Sequence, residues 1–268
     1  MNIPFIKAHG ARNDFLLTWR DELQDELDDI ATAAIAICDR HTGIGADGWL
    51  LISPGVTEDA KIELWNSDGS RSEISGNGTR CAAAFLMEHG APGPTIRIRT
   101  GAGLKTLRLL RRNGLWFEFE MNMGRPEIQA AKFDLPLSTG PRDATLLWVG
   151  NPQCAVPVTD FDFDWRAMGA EIERHPHFPK RTNVSFVKPV NEHTIDVRFY
   201  ERGAGETNSS GTGSTGAAFM AVTRGMAKSP VRVLTAAGPI DLRLEEDVHL
   251  TGPAEIVARG EIFVNDSK

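Results

Sequence analysis

The chain has 268 residues, a length that suits one large domain or two of about 130 residues and that can bury a substantial core. Apolar residues make up 41% and charged residues 24%, as in an ordinary globular protein. Acidic residues outnumber basic ones by 36 to 29, which gives a net charge of −7, and no Lys/Arg cluster is interleaved with aromatic residues. This balance argues against nucleic acid as the main partner.

The N-terminal region carries no targeting or membrane signal that we can identify. The opening "MNIPFIKAHGARNDF" has no apolar core of the kind found in signal peptides. The longest apolar stretch, around "ATAAIAIC" (31–38), is too short to span a bilayer. We therefore expect a cytoplasmic protein with no membrane partner.

The first predicted supersecondary unit leads from one strand to another through a serine turn. Apolar residues alternate in "KIELW" (61–65), as expected for a strand, and a polar, glycine-rich loop containing Ser75 follows. The stretch "TRCAAAFLMEH" (79–89) predicts a helix that ends before Gly90, with Asn77 as a plausible cap of its first turn. Ser75 is thus expected at or just before a helix N-terminus.

A second unit repeats this order after a predicted crossover at "NMGRPE" (122–127). A shift by the 135 positions that separate Ser75 from Ser210 aligns the two units without a gap. It pairs "KIELW" with "DVRFY", the first helix with "STGAAFMAVTR" (214–224), and "TIRIRTGAG" with "PVRVLTAAG". Thr212 takes the capping position of Asn77. Two like-folded halves are therefore predicted, with a small-ligand cleft between them.

The glycine-rich turns are not dinucleotide sites. Both "GIGADG" (43–48) and "GTGSTG" (211–216) match G-x-G-x-x-G, but neither has the strand before it and the acidic residue after it that the fingerprint needs. Neither serine lies in a G-x-S-x-G elbow. Such turns instead offer backbone N–H groups to an anion such as a carboxylate, unless the serines act only as helix caps.

The three cysteines and the paired histidines do not predict a disulfide framework or a metal site. Cys38, Cys81 and Cys154 are odd in number and widely separated, so we expect them to be buried hydrophobic residues. Cys81 should face the core of its helix. His175 and His177 in "HPHFP" have no obvious further ligands, and no metal is expected.

A series of motifs resembles the diaminopimelate epimerase family. From about His9 to Ala254 the motifs occur in the family's order: "HGARNDF", "DRHTGIGADG", "WNSDGS", "SGNGTRC", "NMGRP", "GNPQC", "RTNVSFV", "ERGAGET", "SSGTGSTGA" and "LTGPA". The resemblance implies an α/β (α+β) fold of two pseudo-symmetric halves, each a curled, mostly antiparallel sheet around a central helix. One half would comprise residues 1–124 with a C-terminal strand of about 256–268, and the other residues 125–255.

The resemblance further implies an isomerase without pyridoxal phosphate or any other cofactor. It would interconvert LL- and meso-diaminopimelate, a small amino-acid substrate of lysine and peptidoglycan biosynthesis, by two-base transfer of the α-proton. By motif, the bases would be Ser75 and Ser210, and Asn66 and Glu201 would hold the α-ammonium. The N-terminal turns of the helices would bind the α-carboxylate through Gly76, Asn77, Gly211 and Thr212. The distal end of the substrate would contact Asn13, Asn151, Asn183 and Arg202. A homodimer is expected by analogy.

Four positions depart from the family pattern. Ser75 and Ser210 replace the two catalytic cysteines, Gln153 replaces a histidine, and Arg12 replaces a glycine. Gly48 stands at a fifth, more variable position, where glutamine is usual. A serine hydroxyl is a far weaker acid than a thiol and needs an adjacent base to act as one itself, and Gln153 cannot be that base.

Three interpretations follow from these replacements. The first is an active epimerase in which the serines work with the helix dipoles and with Glu201. The second is a related isomerase or dehydratase on another amino acid, in which one face needs only a weak acid. The third is an amino-acid-binding protein that has lost catalysis. Exchange of the substrate α-proton in heavy water distinguishes the three.

Overall fold

The computed structural model describes residues 2–23 and 29–263. The chain divides into two compact units. Unit 1 comprises residues 1–121 and 252–268, and unit 2 comprises residues 122–251. In the described part of the chain, no helix combines the length and the apolar character needed to cross a membrane.

Unit 1 is built mainly of strands. Its elements, in chain order, are β1 Asn2–Gly10, β2 Asn13–Trp19, a short 3-10 helix Arg20–Glu22, α1 Ile30–Cys38, β3 Gly48–Pro54, β4 Ala60–Asn66, β5 Arg71–Ser72, α2 Gly76–Glu88, β6 Thr95–Thr100, β7 Gly103–Asn113 and β8 Trp116–Gly124. The last strand, β17 Val248–Phe263, returns to unit 1 and pairs antiparallel with β1.

Unit 2 is also built mainly of strands. Its elements are β9 Glu127–Leu135, β10 Arg142–Trp148, β11 Pro152–Pro157, α3 Trp165–Glu173, β12 Asn183–Asn191, β13 Thr194–Glu201, β14 Gly205–Thr207, α4 Gly211–Thr223, β15 Val231–Thr235 and β16 Gly238–Leu244. The mixed, strand-rich architecture with a central helix in each unit confirms the predicted fold class.

The internal repeat includes the register of the strands. In unit 1, β4 pairs in parallel with β6 through Ala60 and Ile98. In unit 2, β13 pairs in parallel with β15 through Ile195 and Val233, the residues that the repeat makes equivalent. Within each unit, most of the other strand pairs are antiparallel. The two units therefore share strand pairing and register as well as sequence.

One helix in each unit is enclosed by strands. Helix α2 contacts β1, β2, β3, β4 and β6, and α4 contacts β10, β11, β12, β13, β15 and β16. All side chains from Gly76 to Leu86 are buried, which is why this helix is rich in Gly and Ala. In α4, a Cβ on Gly213 would lie 2.8 Å from Phe199 Cδ1, so only glycine fits there.

The two enclosed helices begin three residues earlier than the sequence predicts. They start at Gly76 and Gly211, and their N-caps are Ser75 and Ser210. The prediction of Asn77 and Thr212 as caps is therefore wrong, because the extended backbone of each serine lets its own hydroxyl accept the N–H of the third helical residue. Asn77 and Thr212 lie in the first turn instead.

Candidate active site

The two serines occupy equivalent positions in the two units. Ser75 Oγ accepts a hydrogen bond from the Gly78 N–H at 3.1 Å, and Ser210 Oγ accepts one from the Gly213 N–H at 3.0 Å. Each hydroxyl thus lies at the positive end of a helix dipole, where negative charge is stabilised. Capping uses one of the two acceptor lone pairs of each hydroxyl and leaves the O–H proton available to another acceptor.

Ser210 gives that proton to a carboxylate. Ser210 Oγ donates to Glu201 Oε1 at 2.7 Å, and the serine is 3% exposed. Glu201 is the last residue of β13, so the end of this strand places a carboxylate against the N-terminus of α4. Within unit 2, a weakly acidic hydroxyl is therefore hydrogen-bonded to a base.

Unit 1 has a neutral side chain at the equivalent position. Asn66 ends β4 as Glu201 ends β13, and each lies nine residues before its serine. Asn66 Nδ2 donates to Ser70 Oγ at 3.0 Å. No acidic side chain in the described part of unit 1 is hydrogen-bonded to Ser75. The repeat thus conserves the position and changes its charge.

The first-turn residues Asn77 and Thr212 each contact an asparagine from another strand or loop. Asn77 Nδ2 donates to Asn13 Oδ1 at 3.2 Å, and Asn151 Nδ2 donates to Thr212 Oγ1 at 3.4 Å. Asn13 begins β2 and Asn151 directly precedes β11, and these two strands pair in parallel with β3 and β12. The residues predicted to bind the two ends of a substrate therefore meet at each helix N-terminus.

Gln153 completes a buried polar cluster in unit 2. Its Nε2 donates to Asn151 Oδ1 at 2.7 Å and to Thr212 Oγ1 at 3.2 Å, and all three side chains are almost fully buried. Gln153 Oε1 is buried and has no hydrogen-bond partner among the described residues. The amide that replaces the family's histidine therefore anchors its neighbours but offers no titratable group.

Asn183 and Arg202 lie together at the start of β12. Asn183 Nδ2 donates to Pro152 O at 3.0 Å, and Asn183 Oδ1 accepts the backbone N–H of Arg202 at 3.0 Å. The Asn183 amide thus ties the chain after β13 to the start of β11. Arg202 Nη1 lies 3.5 Å from Lys180 O.

A charged network beside Asn13 was not singled out by the sequence analysis. Asn13 Nδ2 donates to Asp47 Oδ2 at 2.7 Å, and Arg40 bridges Asp47 and Asp14. Burial raises the pKa of Asp14, but hydrogen bonds from Arg40 and Lys7 outweigh it and hold that pKa below its usual value. Apart from Lys7, these residues lie in the motifs "HGARNDF" (9–15) and "DRHTGIGADG" (39–48), through which the sequence could have indicated them.

The backbone conformation or packing is informative at two of the positions that depart from the family pattern. Arg12 is exposed and has φ of 62°, a left-handed conformation that glycine adopts more readily. A Cβ on Gly48 would lie 2.8 Å from Trp65 O, so this strand position admits only glycine.

The cysteines are buried and unpaired by disulfides, as expected. Burial raises the pKa of each thiol, Cys38, Cys81 and Cys154, to about 12. Cys81 is fully buried within α2, which confirms that it faces the core. In the described residues, no three His, Cys, Asp or Glu side chains gather as a metal-binding group.

The sequence and the fold both match known epimerases. The model of the family described as Diaminopimelate epimerase matches residues 5–129 and 145–260. The chain is 37% identical to a diaminopimelate epimerase of Archaeoglobus fulgidus, with 99% of this chain and 98% of that protein covered. It is 36% identical to one of Pelotomaculum thermopropionicum, with coverages of 96% and 98%.

A solved structure of a hydroxyproline epimerase from Agrobacterium vitis shares the fold. Its TM-score is 0.77 at 15% identity, and the match covers 99% of this chain and 93% of that one. The family match and the similarity to curated relatives both span nearly the whole chain. The chain therefore belongs to the diaminopimelate epimerase family.

Proposed function

We propose that the chain interconverts LL- and meso-diaminopimelate by two-base α-proton transfer without pyridoxal phosphate. Family membership supports the reaction class and the substrate. The observation that carries the proposal is the 2.7 Å hydrogen bond from Ser210 to Glu201. It supplies the adjacent base that a serine needs in place of a cysteine.

The proposed reaction uses the two serines on opposite faces of the α-carbon. As Ser210 Oγ takes the α-proton, Glu201 takes the hydroxyl proton of Ser210, so that no free alkoxide forms on this face. Ser75 delivers its hydroxyl proton to the other face of the carbon; solvent then reprotonates Ser75 and accepts the proton held by Glu201, which restores the starting state. The developing negative charge would be stabilised by the helix N-termini at Gly76 and Gly211.

Substrate recognition would follow the family pattern residue by residue. Asn66 and Glu201 would hold the α-ammonium, and the first turns of α2 and α4, through Gly76, Asn77, Gly211 and Thr212, would hold the α-carboxylate. The distal end would contact Asn13, Asn151, Asn183 and Arg202. The contacts of Asn13 with Asn77 and of Asn151 with Thr212 support this grouping, because they join distal-end residues to the helix turns.

A second candidate is a related isomerase or dehydratase on another amino acid. It is favoured by the absence of a carboxylate hydrogen-bonded to Ser75 within the described part of unit 1. A dehydration or a double-bond migration needs strong base on one face only, and Ser75 could then serve as a weak acid.

Product analysis in heavy water tests the two candidates and the binding-only interpretation. Incubation of the chain with LL-diaminopimelate should give α-deuterated meso product, measured by NMR and chiral chromatography. A new unsaturated or dehydrated product would support the second candidate. Calorimetric binding without exchange or product would refute both catalytic proposals.

Three finer properties are proposed from the family resemblance alone. We place the enzyme in the cytoplasm and in the supply of lysine, and we expect a homodimer. Light scattering after size-exclusion chromatography measures the oligomeric state directly: a mass twice the 29.3 kDa of the chain supports a homodimer, and a single-chain mass refutes it.

A further inference from the structure

Arg80 is a charged side chain buried completely inside unit 1. It lies in the second turn of α2 and has no exposed surface. Its guanidinium donates to Pro253 O at 3.0 Å, to Gly76 O at 3.3 Å and to Asn77 Oδ1 at 2.5 Å. A Cβ on Gly252 would lie 3.0 Å from Arg80 Cζ, so the neighbouring backbone is packed directly against the guanidinium.

The buried charge of Arg80 has no negative partner within the described part of the chain. Its three acceptors are two backbone carbonyls and one amide, and none of the ion pairs in the described residues includes it. Burial lowers the pKa of Arg80 to about 10, so it is still protonated at neutral pH. Buried charges are normally paired, and an unpaired cation beside a helix N-terminus adds to the positive dipole there.

The equivalent position in unit 2 has no charge. Thr215 replaces Arg80, and its hydroxyl donates to Gly211 O at 2.8 Å, the carbonyl equivalent to Gly76 O. Thr215 is also fully buried. The helix with a cation therefore carries the serine that has no carboxylate within its unit, and the helix without a cation carries the serine bound to Glu201.

Arg80 also fixes the orientation of two residues in the candidate site. Because Asn77 Oδ1 accepts from Arg80, its Nδ2 faces Asn13 and donates to Asn13 Oδ1. Asn13 must then direct its own Nδ2 to Asp47. The guanidinium sets the direction of this chain of amides from inside the protein.

We propose that Arg80 is a positioning residue that makes the N-terminus of α2 the anion-binding side of the reaction. It would hold the Asn77 and Asn13 amides in one orientation and contribute the buried positive charge that favours the substrate α-carboxylate and the carbanion-like transition state. This rests on the proposed function, because the anion is that of the amino-acid substrate.

The test compares Arg80→Lys, which keeps the positive charge, with Arg80→Met, which keeps a long apolar side chain but removes the charge. Thr215→Val is the matched control, since it removes a buried hydrogen bond at the equivalent position without a change of charge. Binding of LL-diaminopimelate by calorimetry and α-proton exchange by NMR are measured for each, with thermal unfolding as the stability readout.

Opposite rankings of stability and function are expected. Arg80→Met should be at least as stable as Arg80→Lys, because it buries no charge. Its diaminopimelate affinity should nevertheless be at least tenfold weaker than that of Arg80→Lys, and its exchange rate lower still. Thr215→Val should bind within about twofold of the unchanged chain, since no charge is lost.

Each other outcome has a definite meaning. If affinity and exchange follow stability, or if Lys and Met perform equally, Arg80 is only a structural residue and the proposal fails. If Arg80→Met does not fold, Arg80→Gln provides the neutral side chain for the same comparison. An unchanged chain that neither binds nor exchanges diaminopimelate refutes the proposed function itself, whatever the Arg80 variants do.

Discussion

The N-termini of α2 and α4 have the same backbone and opposite electrostatics. Both are capped by a serine that accepts the N–H of the third helical residue. Around Ser210 lie the carboxylate of Glu201 and the neutral Thr215, whereas unit 1 has the neutral Asn66 and the cationic Arg80 at the equivalent positions. The repeat has kept the geometry of a serine-capped, glycine-rich helix start in both units.

The proposed function assigns different roles to these two helix starts. A proton is removed most easily where a base stands behind the hydroxyl, and negative charge is held most easily where a cation lies beneath the helix turn. Replacement of thiols by hydroxyls increases the importance of both groups, because serine alone supplies too little acidity and too little basicity. Substitutions that make the two helix starts chemically alike, or that remove Glu201 or Arg80, therefore test this division of roles.

The largest effect is expected when thiols are restored at both sites. Ser75→Cys combined with Ser210→Cys should raise diaminopimelate epimerisation by orders of magnitude, because a thiolate at a helix N-terminus is far more populated near neutral pH than an alkoxide. Each single change should give much less, since the two transfers act as a unit. Coupled racemisation assays measure both rates. A double variant that binds the substrate without α-proton exchange would refute the two-base arrangement.

A large loss is expected when Glu201 becomes neutral. Glu201→Gln keeps an acceptor for Ser210 but removes the base, and exchange should fall by about 10² to 10⁴. Glu206→Gln is the matched control, because Glu206 is an exposed acid paired with Arg166 outside the candidate site. Its exchange rate should be unchanged. Equal rates for Glu201→Gln and the unchanged chain would show that Ser210 works without this carboxylate.

No effect is expected from thiol reagents. The cysteines are buried and burial raises the pKa of each to about 12, so the thiols stay protonated at any pH well below that value. Iodoacetamide at pH 7 to 9, on the order of an hour, should leave activity and mass unchanged. Alkylation of the folded chain detected by mass spectrometry, with loss of exchange, would contradict a serine-based site.

The repeated framework could be predicted from the sequence because its signals are local. Alternating apolar residues identify β4 and β13, and the glycines after the helices mark their ends. The helix starts were missed because each helix begins with a glycine-rich turn directly after its serine cap. A capping side chain three residues earlier in a glycine-rich turn leaves no periodic apolar signal.

The chemical difference between the units could not be predicted from local patterns. Glu201 reaches Ser210 across the loop that contains β14, and only the fold brings the end of a strand to the start of a helix. The repeat offered a clue, since it makes Asn66 the neutral counterpart of Glu201. Arg80 was missed because charged residues are rarely fully buried, so an arginine in a predicted helix is expected on its exposed face.

The most direct test of the account compares Ser75→Ala with Ser210→Ala. Both variants lose a helix cap of the same geometry, at about 1 kcal/mol each, and Ser210→Ala also loses the hydrogen bond to Glu201. In heavy water, Ser75→Ala should still exchange the α-proton of one diaminopimelate stereoisomer without inversion, because Ser210 and Glu201 can remove a proton and return a deuteron on one face. Ser210→Ala should show no exchange. Exchange by Ser210→Ala at a rate equal to or above that of Ser75→Ala would contradict the assignment of Ser210 and Glu201 as the basic side.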